Sequence, residues 1–220
     1  MKKSTWLRTA AVSAGALMLM GVAGAAFAET EDDVDVNVEI APLVEPGELA
    51  MSVAPGDVAL VENGSDANRR QFTGSLPTVT VTDTRSEDEV PAGAFWYVVG
   101  TASNFVGSNG QPDISAGHLG WAPKLLSDSD SGLVAEGDPV GTVMDSGPNA
   151  VGLVDQEFLV TTADSGAVLE EGTWSAGADL FLRTPIDVAP GSYSSTLTLS
   201  LFELSPRRRL PALAAAAATS

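Results

Sequence analysis

The chain of 220 residues has no cysteine, one histidine, and only 11 lysines and arginines against 29 aspartates and glutamates. Without cysteine there is no disulfide framework, no thiol nucleophile and no residue to carry a lipoprotein's lipid, so stability must come from an apolar core or from bound ions. The lone histidine, His118 in Ala116-Gly117-His118-Leu119, cannot build the common zinc sites, which need several Cys or His ligands. It permits a Ser-His-Asp arrangement only through itself, and a lone loop histidine reads as polar surface. A formal charge of −18 repels phosphate backbones and anionic lipid, which argues against nucleic acid as a partner. Gly-x-Ser-x-Gly, a Gly-rich phosphate loop, a dinucleotide fingerprint and a complete EF-hand loop are all missing. Carboxylates are so numerous that a pair at glycosidase spacing is expected by chance and specifies nothing by itself.

What is present begins with an export signal. Lys2, Lys3 and Arg8 precede an apolar run over residues 10–26, and Ala26-Phe27-Ala28 is a small-x-small cleavage site before Glu29. The apolar run is rich in Ala and Gly, is short for a bilayer, and meets acidic residues at once. The sequence therefore predicts a signal peptide at 1–28, an acidic lead-in at 29–33, one domain at 34–204, and a basic, alanine-rich tail at 205–220 that is expected to be disordered. The mature chain is expected to be secreted and to lack a membrane span. The role of the tail, with Arg207-Arg208-Arg209, is not legible.

Helical periodicity is nearly absent. Short alternating or β-branched runs recur instead between Gly, Pro, Asn and Asp, which predicts strands at 34–40, 79–82, 95–101, 157–162, 178–182 and 193–201. Leu197-Thr198-Leu199-Ser200-Leu201 places leucines on one face and hydroxyls on the other, as an antiparallel sheet with one wet side requires. The expected fold is all-β: an antiparallel, immunoglobulin-like β-sandwich. Asn63-Gly64 and Asn109-Gly110 mark tight turns, and residues 107–117 and 127–152 read as long polar connections that carry whatever specificity the scaffold has.

Trp96, Trp121 and Trp174 follow the leader. Trp96 and Tyr193 sit within strand patterns and are expected in the core, whereas Trp121, between Gly120 and Ala122-Pro123, is the best candidate for a partly exposed platform for a sugar ring. Asp128-Ser129-Asp130-Ser131-Gly132 is a weak calcium candidate through Asp128 and Asp130, since the remaining ligands of a calcium loop are missing. No other cofactor is expected.

Two segments, in order, resemble the WxL domain of Gram-positive surface proteins, in a divergent form of the actinobacterial type, across residues 34–204. The first is Val79-Thr80-Val81-Thr82-Asp83-Thr84-Arg85 followed by Trp96-Tyr97-Val98, where the family has Asp-x-Arg and then Trp-x-Leu. The second is Tyr193-Ser194-Ser195-Thr196-Leu197-Thr198-Leu199-Ser200-Leu201, where the family has Tyr, three residues, then Leu-Thr-Trp-x-Leu. Val98 replaces the first Leu and Leu199 the second Trp. The resemblance implies a non-enzymatic β-sandwich held non-covalently on the cell wall through peptidoglycan, often beside other surface proteins. Trp121, Trp96 and Tyr193 are then the candidate contacts, and Asp83, Arg85, Leu197 and Leu201 the structural motif. Two other readings are a surface-layer or appendage subunit assembled through strand edges and an extracellular hydrolase using two carboxylates.

Overall fold

A computed structural model describes residues 45–127 and 129–206. Twelve strands form in chain order: β1 Leu49–Val53, β2 Val61–Glu62, β3 Arg69–Ser75, β4 Val79–Asp83, β5 Phe95–Ala102, β6 Val106–Gly107, β7 Leu119–Leu125, β8 Val134–Glu136, β9 Glu157–Thr162, β10 Thr173–Pro185, β11 Tyr193–Ser194 and β12 Leu197–Leu204. The described residues contain no α-helix, only short 3-10 turns, and the antiparallel sheets pack as a sandwich.

The larger sheet is organised by β10. Its 13 residues bury Trp174, Ala176, Ala178, Leu180 and Leu182 on one face, while Asp179, Phe181 and Arg183 point the other way, the period-two signature of a half-buried strand. On one side β10 pairs with β7. On the other it pairs with β3 and then β4, which act as one bent ribbon because Leu76 N donates to Ala178 O across the break. β1 and β2 lie outside β4 and β3. The smaller sheet runs β12-β5-β9-β8. An extra residue in β9 at its β5 pairing lets both Leu159 and Val160 turn inward, the geometry of a β-bulge.

The core lies between the sheets. Trp96 of β5 and Trp174 of β10 stack across it with centroids 5.1 Å apart, and Trp121 of β7 reaches Gly100 of β5. A Cβ at Gly100 would lie 2.6 Å from Trp121 Cη2, so glycine there makes room for the indole.

Three expectations change. Residues 193–201 are not one strand: Ser103 accepts from Thr196 N and from Ser195 Oγ, and the chain steps from its β6 partner to its β5 partner, giving β11 and β12. Residues 119–125, outside every expected strand, are strand β7. Proline is tolerated there because Trp121 N donates outward to Val140 O, so the nitrogen of Pro123, two residues on, faces the same outer side and β10 loses no bond. Residues 127–152 are not bare loop, since they supply β8 and a segment that covers the outer side of β7 at Val140, where Trp121 and Val140 exchange backbone hydrogen bonds; just beyond them Leu153 N donates to Leu119 O. Asn109-Gly110 makes the expected turn, with Gly110 at φ 77°. The strand expected at 34–40 lies outside the described residues, as do the leader, the acidic lead-in and the tail from Arg207 onward.

Candidate functional site

Trp121 is not exposed. Its relative exposure is 0%, because strand alternation turns it inward with Leu119 while Gly120 and Ala122 turn out. A sugar platform at this residue is thereby corrected to a core position. Trp96, also 0% exposed, is in the core as expected. Tyr193 is half-buried against the core, and its hydroxyl donates to Ala189 O at 2.8 Å, a tie to backbone a few residues upstream that fixes a sandwich corner. Leu197 and Leu201 face inward from β12 and are also half-buried.

Asp83 and Arg85 do tie a corner. The Asp83 side chain is fully buried; it accepts from Arg85 Nε at 2.8 Å and Nη2 at 2.7 Å. The same guanidinium donates to Glu203 through Nη1 at 2.9 Å and Nη2 at 2.7 Å. One planar cation thus grips two carboxylates bidentately and joins the end of β4 to the end of β12, across the two sheets.

The acidic turn before β8 has a structural partner. Glu171 accepts from Ser129 Oγ at 3.1 Å, Ser131 N at 2.9 Å and Trp174 Nε1 at 2.7 Å. Asp130 is exposed, and Asp128 lies outside the described residues. Burial pushes the Glu171 carboxyl up, but hydrogen bonds from Ser131, Trp174 and Ser129 outweigh it and hold it at about 2. Asp145 is likewise at about 2, with burial opposed by Thr142 and Arg183; it also accepts from Arg69 Nη1 at 3.1 Å. Both folded values lie below the ordinary 4.5 and 3.8, so both groups stabilise the fold above about pH 4.5 and lose that contribution as pH falls toward 2. Glu171→Gln is expected to be less stable at neutral pH and to show a shallower stability loss across that window, read by denaturant melts at several pH values.

His118 is used locally: its Nδ1 lies 2.6 Å from the Arg183 carbonyl, which can only accept, so the ring donates and ties the turn before β7 to β10. The Glu157 carboxyl is pushed up, first by burial and then by the charge of Asp155. The depression over β3 and β10, lined by Asn63, Gln71, Phe181 and Arg183 among others, is shallow, and its side chains satisfy one another: Arg183 Nε donates to Gln71 Oε1 at 2.7 Å and the guanidinium stacks on Phe181.

The outward face of the smaller sheet is different. Tyr97 lies 6.2 Å from Phe95, 5.3 Å from Phe158 and 5.5 Å from Phe202, centroid to centroid, so β5, β9 and β12 present one contiguous group of rings. Phe158 is 49% exposed, Phe202 39% and the adjacent Leu204 50%. Register explains the grouping, since Phe202 is opposite Tyr97 and Leu204 opposite Phe95. Single exposed apolar residues are ordinary, whereas a contiguous exposed apolar group is a candidate contact surface. Sequence reasoning located these strands and missed the patch. The signal was in Phe95-Trp96-Tyr97, where alternation that sends Trp96 inward must send its two neighbours outward.

No family model matches the sequence, and no curated protein matches it. Among solved structures, the chain is similar to a family 123 glycoside hydrolase from Clostridium perfringens at 15% identity and a TM-score of 0.29, over 62% of this chain and 19% of that one. The chain thus spans about a fifth of the length of that hydrolase, and a likeness this slight carries no argument. Among the described residues no helix is long and apolar enough to cross a membrane.

Proposed function

We propose that this is a secreted protein held non-covalently on the cell wall, binding peptidoglycan without turnover, and that the Phe95-Tyr97-Phe158-Phe202 face is its contact surface. The patch itself carries the reading: flat rings on a rigid sheet, partly open to solvent, suit the apolar faces of sugar rings, which stack on aromatics with little ordering cost. The charge of −18 repels anionic wall polymers and favours the uncharged ring faces of the glycan strand. The export signal and the WxL-like motifs supply the address.

The mature chain is expected to pellet with peptidoglycan sacculi, and a Phe158→Ser, Phe202→Ser double variant to lose about tenfold in affinity, equivalent to about 1.4 kcal/mol, with its thermal unfolding little changed. A wild-type chain that stays in the supernatant but self-associates with concentration would instead favour the surface-assembly reading.

A further inference from the structure

Of the chain's asparagines, only Asn63 and Asn109 precede a glycine. Glycine suits a turn because it takes positive φ, as Gly64 and Gly110 do at 83° and 77°. It also leaves its amide nitrogen unshielded by a side chain, so that this nitrogen can reach the side-chain carbonyl carbon of the asparagine before it. Asparagine counts among the thermolabile residues, and this approach is its main route of loss.

Both turns are exposed, yet they are held differently. Asn63 is tied to β3 through both backbone groups: its N donates to Gln71 O at 2.9 Å and its O accepts from Gln71 Nε2 at 3.0 Å. Its side-chain amide donates to Thr73 Oγ1 at 3.4 Å, and Gln71 Nε2 lies so close over Gly64 that a Cβ there would meet it at 2.5 Å. Asn109 has no such support. Among the described residues its one hydrogen bond runs from N to Gln111 Oε1 at 2.8 Å. Gly110 N reaches Gly107 O only at 3.4 Å, beyond the usual N–H···O range, and a Cβ at Gly110 would meet nothing within 4 Å. The nitrogen is weakly held, and the side chain is free to swing over it.

We propose that Asn109 is a site of spontaneous deamidation through a cyclic imide, and that the fold protects Asn63 from the same reaction. Gly110 N gives its proton to hydroxide and bonds to Asn109 Cγ; the Cγ–Nδ2 bond breaks and ammonia leaves. Water then opens the ring. Opening at Cγ leaves aspartate in an ordinary backbone. Opening at the main-chain carbonyl leaves isoaspartate, whose backbone runs through Cγ and is one carbon longer.

Isoaspartate at 109 has a mechanical consequence. Gln111, which accepts from Asn109 N, also donates through Nε2 to Pro190 O at 3.2 Å, and Ser108 N donates to Ser192 O at 2.9 Å. The turn is thereby fastened to the segment that leads into β11. An extra backbone carbon between Ser108 and Gln111 displaces these ties and loosens β6 from β11, at the corner that Tyr193 closes.

The test is a time course of the mature chain at neutral and mildly alkaline pH, read by peptide mass spectrometry that separates aspartate from isoaspartate. In the folded protein Asn109 is expected to convert about tenfold faster than Asn63, the ratio that one extra backbone hydrogen bond to open, about 1.4 kcal/mol, provides. It is expected to yield isoaspartate as well as aspartate, and to react faster at the higher pH. In denaturant the two rates are expected to converge. Gln71→Ala, which removes the tie to Asn63 O and uncovers Gly64, is expected to speed Asn63 and leave Asn109 unchanged. Asn63 reacting as fast as Asn109 in the folded protein would overturn the proposal. So would an Asn109 that reacts only in denaturant, or one converted to aspartate alone, which bypasses the ring. An Asn63 rate unmoved by Gln71→Ala would overturn the protection. Amide exchange at Tyr193 and Ser194 is expected to rise in the isoaspartate form and that of residues 157–162 to stay unchanged; unaltered exchange at 193–194 would overturn the loosened corner.

Discussion

Arg85→Leu is expected to destabilise the fold by about 3–5 kcal/mol, because it strands a fully buried carboxylate rather than merely deleting an ion pair. Asp83 keeps only the Arg85 backbone N–H, at 3.2 Å, of the three donors Arg85 gives it, and the Glu203 link between the sheets is lost. The sign of a compensating change discriminates this cause from simple loss of packing. Adding Asp83→Asn to Arg85→Leu removes the stranded charge, so the double variant is expected to be more stable than Arg85→Leu alone, by denaturant titration. A double variant no better than the single one would mean that the guanidinium acts mainly through its contacts with Glu203. On the proposed function, retention on sacculi by Arg85→Leu is expected to fall only in proportion to the unfolded fraction, since Arg85 is not part of the aromatic face.

Trp121→Ala is expected to cost about 3–5 kcal/mol, the range for emptying a fully buried large aromatic side chain. Trp121→Phe is expected to cost clearly less, because the indole Nε1–H has no hydrogen-bond partner among the described residues and its removal relieves an unmet donor. The consequence bears on any binding experiment. Reduced retention on sacculi by Trp121→Ala reports unfolding, and only the exposed rings Phe158 and Phe202 separate contact from stability.

The all-β class was legible because the strands β4, β5, β9 and β12 carry their pattern locally, with β-branched or aromatic residues alternating with polar ones between turn residues, whereas β1, β2, β3, β6 and β8 lay outside every expected strand. β7 was hidden by Gly120 and Pro123, which punctuate in isolation. Both are explained only by neighbours remote in sequence: Phe181 lies over Gly120, where a Cβ would meet its Cε2 at 2.4 Å, and the outer edge of the strand absorbs the missing N–H of Pro123. Trp121 followed the same error, since a tryptophan between two apparent breakers reads as exposed until the strand through it is known. The Asp83-Arg85 corner was legible in half. Its local pair sits two residues apart, whereas Glu203 is 118 residues away and no spacing could announce it. The aromatic face was assembled by register between three strands, so its members were visible singly and their adjacency was not.

The central place of β10 has a consequence for how the chain acquires its structure. Every other strand of the larger sheet leads back to it, directly for β3, β4 and β7 and through β4 and β3 for β1 and β2, yet it lies near the end of the chain at Thr173–Pro185. A polypeptide emerging N-terminus first therefore cannot close that sheet until almost all of it has appeared. Such late, non-local pairing folds slowly; on the proposed reading of a secreted protein, it is also what would keep the chain threadable through a translocation pore.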